Sequence, residues 1–391
     1  MSATRRNDCS TSEVVLYMAT ELSENIWKLG FSTGMAQKPR RREITARDVQ
    51  ALRTEVAAAK ERFGLPADAR VVSCYEAGRD GFWLHRFLLA AGVDNCVVDS
   101  SSIQVDRRRR RAKTDRLDVE KLLTMLIRWQ QGEATVWRVV NVPSVEEEDA
   151  RQLHRELETL KREQTTHGNR IKGLLAGCGV TVRVNRHLPK WLKTLRLWDG
   201  SPLPADLKSR VQREFGRMQA VNRQIRELEK DRAKRVRVDD KDEGIVKMRK
   251  LMGLGALGIN SSWLFVREVF GWRKIRNRRQ LGAILGLTPT PYNSGGSSRE
   301  QGISRAGNRR MRAMAIEIAW LWLRYQGASE LSRWYQRRFG HGSKRQRRIG
   351  IVALTRKLLV AFRKYLDTGE VPQGAVLTDW KHKVRCTGTL L

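Results

Sequence analysis

Cysteine is scarce in this chain, with five in 391 residues: Cys9, Cys74, Cys96, Cys178 and Cys386. None forms a C-x-x-C pair and their number is odd. That excludes a disulfide scaffold and a zinc ribbon, and predicts reduced thiols in a cytoplasmic protein. Histidine is also sparse, with six in all and no H-E-x-x-H or H-x3-H pair. No stretch approaches the roughly 18 uninterrupted apolar residues of a transmembrane helix. The apolar run Val14 to Ala19 is broken by Glu21 and Glu24 too early for a secretory leader. Neither terminus carries a basic amphipathic segment, so no membrane partner is expected. Acid is the largest deficit: 42 Asp+Glu stand against 76 Lys+Arg, a net charge of +34. A charge of that size calls for a polyanion, and nucleic acid is the first candidate.

Hydrophobic residues make up 40% of the chain, enough for a core in each of two or three domains. Residues 1–12 are polar, with disorder expected. Two strand-like runs, VVLYMAT and NIWKLGFST, follow, with a turn at Leu22 to Glu24. Helical spacing of Ala51, Leu52, Val56 and Ala59 predicts a helix over Thr45 to Phe63. A short strand ends at Glu76, a helix spans Gly81 to Ala91, a strand covers Cys96 to Val98, and a helix runs from Asp115 to Trp129. Alternating strands and helices predict a layered α/β domain.

Beyond Pro143 the pattern is helical. Leu153, Leu157 and Leu160 recur at helical spacing, and Val211, Met218, Val221, Ile225 and Leu228 form a heptad seam. Two such helices read as an antiparallel hairpin or a dimerising coiled coil. Residues 237–244 read as a linker, Thr288 to Gly307 as a loop, and Asn308 to Tyr325 and Ile349 to Tyr365 as helices, with a loose tail from Thr368.

Four constellations carry chemistry. Asp115 and Asp118, three apart at a helix start, share a face. With Glu76 and Glu21 at strand ends, they either converge on Mg2+ or Mn2+ or form a solvated face paired with Arg. Ser294 lies in a Ser/Gly run that is a flexible loop or holds a nucleophile. Basic blocks form the third set: Arg107, Arg108, Arg109, Arg110, Arg111 and Lys113; then Arg273, Lys274 and Arg276, beside Trp272; then Lys344 and Arg345, near Trp334. Such blocks with aromatics suit a nucleic-acid backbone. Gly253, Gly255 and Gly258 formally match G-x-G-x-x-G, but no βαβ unit surrounds them, which excludes a dinucleotide site. A hairpin offering backbone N–H groups to a DNA phosphate is the better reading.

Several of these segments, in this order, resemble the DEDD-type insertion-sequence transposases, the bridge-RNA-guided serine recombinases that include Piv/MooV-like invertases. YEAGRDGFWLHRFLLAAG resembles their E-A-T-G-x-Y stretch, with Gly78 and Phe82 replacing Thr and Tyr. RAKTDRLDVEKLL resembles K-T-D-x-x-D-A-x-x-L. GLTPTPYNSGGSSREQGISRAGNRRMR resembles the C-terminal G-L-x-P, S-G-G and I-S-K-x-G signature, which includes Arg299, Arg305 and Arg309. LMGLG resembles the preceding I-P-G-I-G hairpin.

The resemblance implies a multidomain α/β plus α protein. A RuvC-like RNase H fold would occupy residues 13–140, a coiled-coil arm 145–236, a mainly helical transposase domain 245–366, and a tail 367–391. It implies a DEDD metal site of Glu21, Glu76, Asp115 and Asp118 holding Mg2+ or Mn2+. Glu21 stands where the family has Asp, with Glu24 as the alternative. It implies Ser294 as nucleophile, a covalent phosphoserine intermediate and DNA strand exchange. Partners would be donor and target double-stranded DNA, a structured bridge RNA, and further copies of the chain in a dimer or tetramer. The setting would be the bacterial nucleoid. Two other readings stand beside it: a RuvC-like nuclease using water, and a decayed transposase that only binds nucleic acid.

Overall fold

The computed structural model describes residues 14–103, 115–294 and 297–386. The chain divides into two units, Met1–Val142 and Pro143–Leu391.

The first unit is an α/β layer. Its elements are β1 (Leu16–Glu21), β2 (Ile26–Ser32), β3 (Arg40–Thr45), α1 (Val49–Arg62), β4 (Val71–Glu76), α2 (Trp83–Ala90), β5 (Asp94–Val98) and α3 (Asp115–Gln130). The sheet order is β3-β2-β1-β4-β5. The first three strands are antiparallel, and β4 runs parallel to both β1 and β5. Period-two alternation gives each face its own core. Leu16, Met18, Trp27, Leu29, Val71 and Tyr75 pack with Leu52 of α1 and Leu84 and Leu88 of α2. Ala19, Val72, Cys74, Cys96 and Val98 pack under Leu122, Leu123, Met125 and Leu126 of α3.

Two features of this unit are not in the sequence reading as stated: an added strand and a later helix start. The stretch RRREIT is a strand, although it shows no apolar alternation. It lies at the sheet edge, where Ile44 alone turns into the core, and Arg40 and Arg41 pair with Glu55 and Glu120. Charge on an edge strand also deters pairing with another chain. The following helix starts at Val49, not Thr45, because the Asp48 carboxylate accepts from the N–H groups of Gln50 and Ala51. The polar residues 1–12 and the Arg107–Arg111 block with Lys113 lie outside the described residues.

The second unit begins with α4 (Val145–Asp149), opened by a Ser144–Glu147 capping box. Then come α5 (Gln152–Ala176), α6 (Leu188–Thr194) and α7 (Ala205–Val238). The contacts Lys161–Glu229, Gln164–Asn222 and His167–Glu214 step in opposite directions along α5 and α7, so the pair is antiparallel. The heptad seam is consumed inside the chain: Leu157 and Leu160 pack on Val221 and Ile225. This is the hairpin form of the expectation.

Helices α8 (Glu243–Met252), α9 (Ile259–Phe265), α10 (Arg278–Ile284), α11 (Arg309–Tyr325), α12 (Glu330–Tyr335) and α13 (Lys344–Thr368) surround a core that includes Trp263, Phe265, Trp322 and Phe362. The linker over 237–244 is shorter than expected, since only 239–242 separate α7 from α8. The expected loop over 288–307 is a hairpin of β6 (Pro289–Ser294) and β7 (Ser297–Ile303). The tail is not loose over its described length. It forms α14 (Trp380–Cys386), whose Val384 is buried in the helical core.

Candidate active site

The carboxylates fall where the sheet puts them. Glu21 ends β1 and Glu76 ends β4, each one residue past the registered parallel pair Thr20–Tyr75. Alternation turns both toward the face covered by α3, since Ala19 and Cys74, two residues earlier, lie in that core. Asp115 opens α3 and Asp118 follows one turn on, in line with buried Leu122 and Met125. Glu21, Glu76 and the helix that carries Asp115 and Asp118 thus share one face of the sheet, and carboxylate oxygens are donors suited to Mg2+ or Mn2+. Among the described residues no group of three or more His, Cys, Asp and Glu could hold a metal ion. The Asp115 side chain is not among those described.

Glu24 stands apart from this edge. It lies in the exposed β1–β2 turn, with its carboxylate on Arg79 at 3.0 Å. Strand register places Glu21, not Glu24, beside Glu76. The thiols on the α3 face are packing groups. Burial drives Cys74 well above the usual thiol range and pushes Cys96 up to about 12.

Ser294 is the last residue of β6, paired with Ser297 across the hairpin. The hairpin is anchored by a backbone crossing. Gly286 has φ +65 and Gly307 has φ +147. A Cβ on Gly307 would meet the Ile284 carbonyl at 2.6 Å and the Gly286 nitrogen at 2.7 Å. Arg312 ties the crossing by donating to the carbonyls of Leu285 and Arg305 at 3.0 and 3.1 Å. Arg305 itself has φ +55. The signature letters around Ser294 thus include residues that hold its hairpin in place. Their backbone role is not visible in the sequence pattern, because it depends on a crossing of residues some twenty positions apart.

The predicted nucleic-acid contacts separate into three groups. Lys274, Arg276, Arg305, Arg309, Lys344 and Arg345 are exposed. Arg299 lies on β7, and its side chain is not described. Arg273 is partly engaged: it stacks 4.2 Å from the Trp272 ring centroid and donates to the Glu268 carbonyl at 2.9 Å. Trp272 is buried, lies against Arg151 as well, and donates its indole N–H to Arg267. Trp334 packs against Phe339 and under Lys357. Both indoles are engaged within the helical unit, not offered to bases.

The glycine hairpin is also occupied. The Gly253 N–H donates to the Arg249 carbonyl at 3.0 Å, and its own carbonyl accepts from Thr378 at 2.7 Å. Lys383 of α14 donates to the carbonyls of Met252, Leu254 and Leu257 at 2.6, 2.7 and 3.0 Å. Burial lowers its pKa to about 8. The expected N–H offering from Gly253 is therefore absent, and Gly255 lies in a turn spanned by the tail.

Among the described residues no helix is long and apolar enough to cross a membrane. Residues 248–336 match the Transposase IS116/IS110/IS902 family. Over 380 residues, 93% of this chain and 94% of the relative, the sequence is 38% identical to the protein named putative transposase y4rJ of Sinorhizobium fredii. It is 28% identical over 184 residues to a family 20 transposase of Pseudomonas aeruginosa, covering 46% of this chain and 53% of the relative. It is 24% identical over 197 residues to the transposase for insertion sequence element IS1328 of Yersinia enterocolitica, covering 49% and 56%.

Proposed function

Because the chain belongs to the IS116/IS110/IS902 family of transposases, and so acts in DNA transposition, we propose that it cuts and rejoins DNA through Ser294 with metal assistance under RNA guidance. The observation that carries the chemical half is the alignment of Glu21 and Glu76 at neighbouring parallel strand ends, on the face where α3 begins with Asp115 and Asp118. The mixed sheet with helices on both faces supports the RuvC-like reading of this unit.

Glu21, Glu76, Asp115 and Asp118 would hold Mg2+ or Mn2+, which when bound supplies charge neutralisation at a scissile phosphate. The Ser294 hydroxyl attacks that phosphorus. A Ser O–P bond forms, the bond from phosphorus to a sugar oxygen breaks, and the serine proton is released as the departing oxygen takes one up. Attack by a DNA hydroxyl on the phosphoserine reverses these bonds and joins a new strand. The exposed cations Lys274, Arg276, Arg305, Arg309, Lys344 and Arg345 hold DNA and RNA backbones without reading sequence, which is left to pairing with a bridge RNA. The carboxylate unit of one copy meets the serine hairpin of another, so the working form is a dimer or tetramer.

The metal half is tested by cleavage of element-end DNA across a Mg2+ titration. Asp115→Ala and Asp118→Ala are expected to abolish cleavage while leaving DNA binding intact. Cleavage by both variants at the wild-type rate would overturn the carboxylate assignment.

A further inference from the structure

A groove of about 1370 Å3 is lined by α5, α7 and the loop over 177–187, within the helical arm. It exceeds the roughly 300–1,000 Å3 of small-molecule pockets, so it suits a segment of a polymer. Lys172, Arg183, Arg186, Arg223 and Arg226 line it, all exposed. No carboxylate shares the wall. Three cations elsewhere on the same helices are paired with acids: Lys161 with Glu229, and Arg170 and Arg217 with Glu214. The wall also bears amides; Gln164 donates to Asn222 at 2.6 Å between the two helices.

Besides Phe215 and His187 in the lining, an exposed indole lies beside Gly179, which precedes Val180 of the wall. Trp198 is 87% exposed. Its Cβ lies 3.9 Å from where a Cβ on Gly179 would sit, next to Val180 of the groove wall. An indole with this much open face beside a carboxylate-free basic groove has the two components of a single-strand site: cations for phosphates and a ring for a base. Duplex DNA buries its base faces in the stack, so an unpaired strand uses the indole and a duplex does not.

We propose that this groove binds an unpaired nucleic-acid strand, its phosphates along the five cations and a base stacked on Trp198. The site lies outside the carboxylate edge and the serine hairpin and does not depend on cleavage. A Ser294→Ala protein that no longer cuts DNA retains it, so its failure is distinct from failure of the cleavage reading.

The test uses the full chain with fluorescent oligouridine, oligothymidine and a duplex of matching length. Trp198→Ala weakens single-strand binding about tenfold, and Trp198→Phe restores most of it. The double variant Arg183→Glu/Arg223→Glu weakens it further and flattens its salt dependence by about 0.7 in log–log slope per lost contact. Ultraviolet crosslinking of a 5-iodouracil strand places the adduct on the peptide containing Trp198. Tighter binding of either single strand supports the site and identifies the strand as RNA or DNA. Equal losses for duplex and single strand overturn it. So does a loss confined to the charge-reversed protein, or adducts that map only outside the arm.

Discussion

Glu21 and Glu76 end adjacent parallel strands at matching register, one residue beyond the Thr20–Tyr75 pair. The consequence is a division of labour among nearby acids. Glu21→Gln and Glu76→Gln are each expected to slow DNA cleavage about a hundredfold or more. Glu24→Gln is expected to leave the rate unchanged, because that carboxylate is turned to Arg79. Glu21→Asp retains measurable metal-dependent activity. Single-turnover cleavage of the three glutamine variants checks the division; a dead Glu24→Gln with an active Glu21→Gln would reverse it.

The backbone crossing of Gly286 and Gly307 leaves no room for side chains. Gly307→Ala is expected to destabilise the second unit by about 2 kcal/mol or more, since a Cβ meets backbone atoms and φ is strained. Denaturant unfolding measures the loss. The variant also loses recombination before it loses DNA binding, because the crossing anchors the Ser294 hairpin.

Lys383 binds three carbonyls at once. Lys383→Met keeps the aliphatic bulk and removes all three donors. The expected cost is about 1–3 kcal/mol from buried acceptors left unpaired. Hydrogen exchange should rise over 376–384 and over the 253–258 turn, and stay unchanged in the first unit. Protection equal to wild type in both segments would show that the ammonium does not secure the tail.

His154 is a buried base in a basic setting. Burial first, then Arg232, Arg310, Lys161 and Arg155, lower its pKa to about 4. Its Nε2 is 3.4 Å from Glu158, whose other oxygen is held by Arg310 at 2.8 Å. The unfolded chain takes up this proton near pH 6.5, before the folded chain does. The stabilisation is therefore complete above that pH and is lost as pH falls toward 4. Between pH 7.5 and 5 the loss is about 2 kcal/mol. Urea unfolding of wild type and His154→Leu at both pH values isolates it: the wild type loses that much more than the variant.

The first unit was largely legible because its strands alternate or run apolar and end at acids. Leu16 to Glu21 and Val71 to Glu76 announce both the sheet and the place of its carboxylates. Which of Glu21 and Glu24 lies in register with Glu76 was not legible, since that depends on strand pairing. β3 was hidden because an edge strand needs only Ile44 inside, and its three arginines leave no apolar alternation to read. The β6–β7 hairpin was hidden by Pro, Gly and Ser, whose composition is that of a loop whether or not its strands pair. Trp272 sits beside a basic block that read as suited to a nucleic-acid backbone, yet the ring is buried between Arg273 of that block and Arg151. Trp198 lacks such a block in sequence; the groove cations come from α5, α7 and a loop, brought together only by folding.

The most direct test of the central claim is a suicide-substrate assay. Full-length protein, RNA transcribed from the element's flanks, labelled junction DNA and Mg2+ are combined, and products are resolved on a denaturing protein gel. The account predicts a labelled protein band that vanishes in Ser294→Ala and in Asp115→Ala. Metal-dependent cleavage with no covalent band would contradict it and leave a nuclease that uses water.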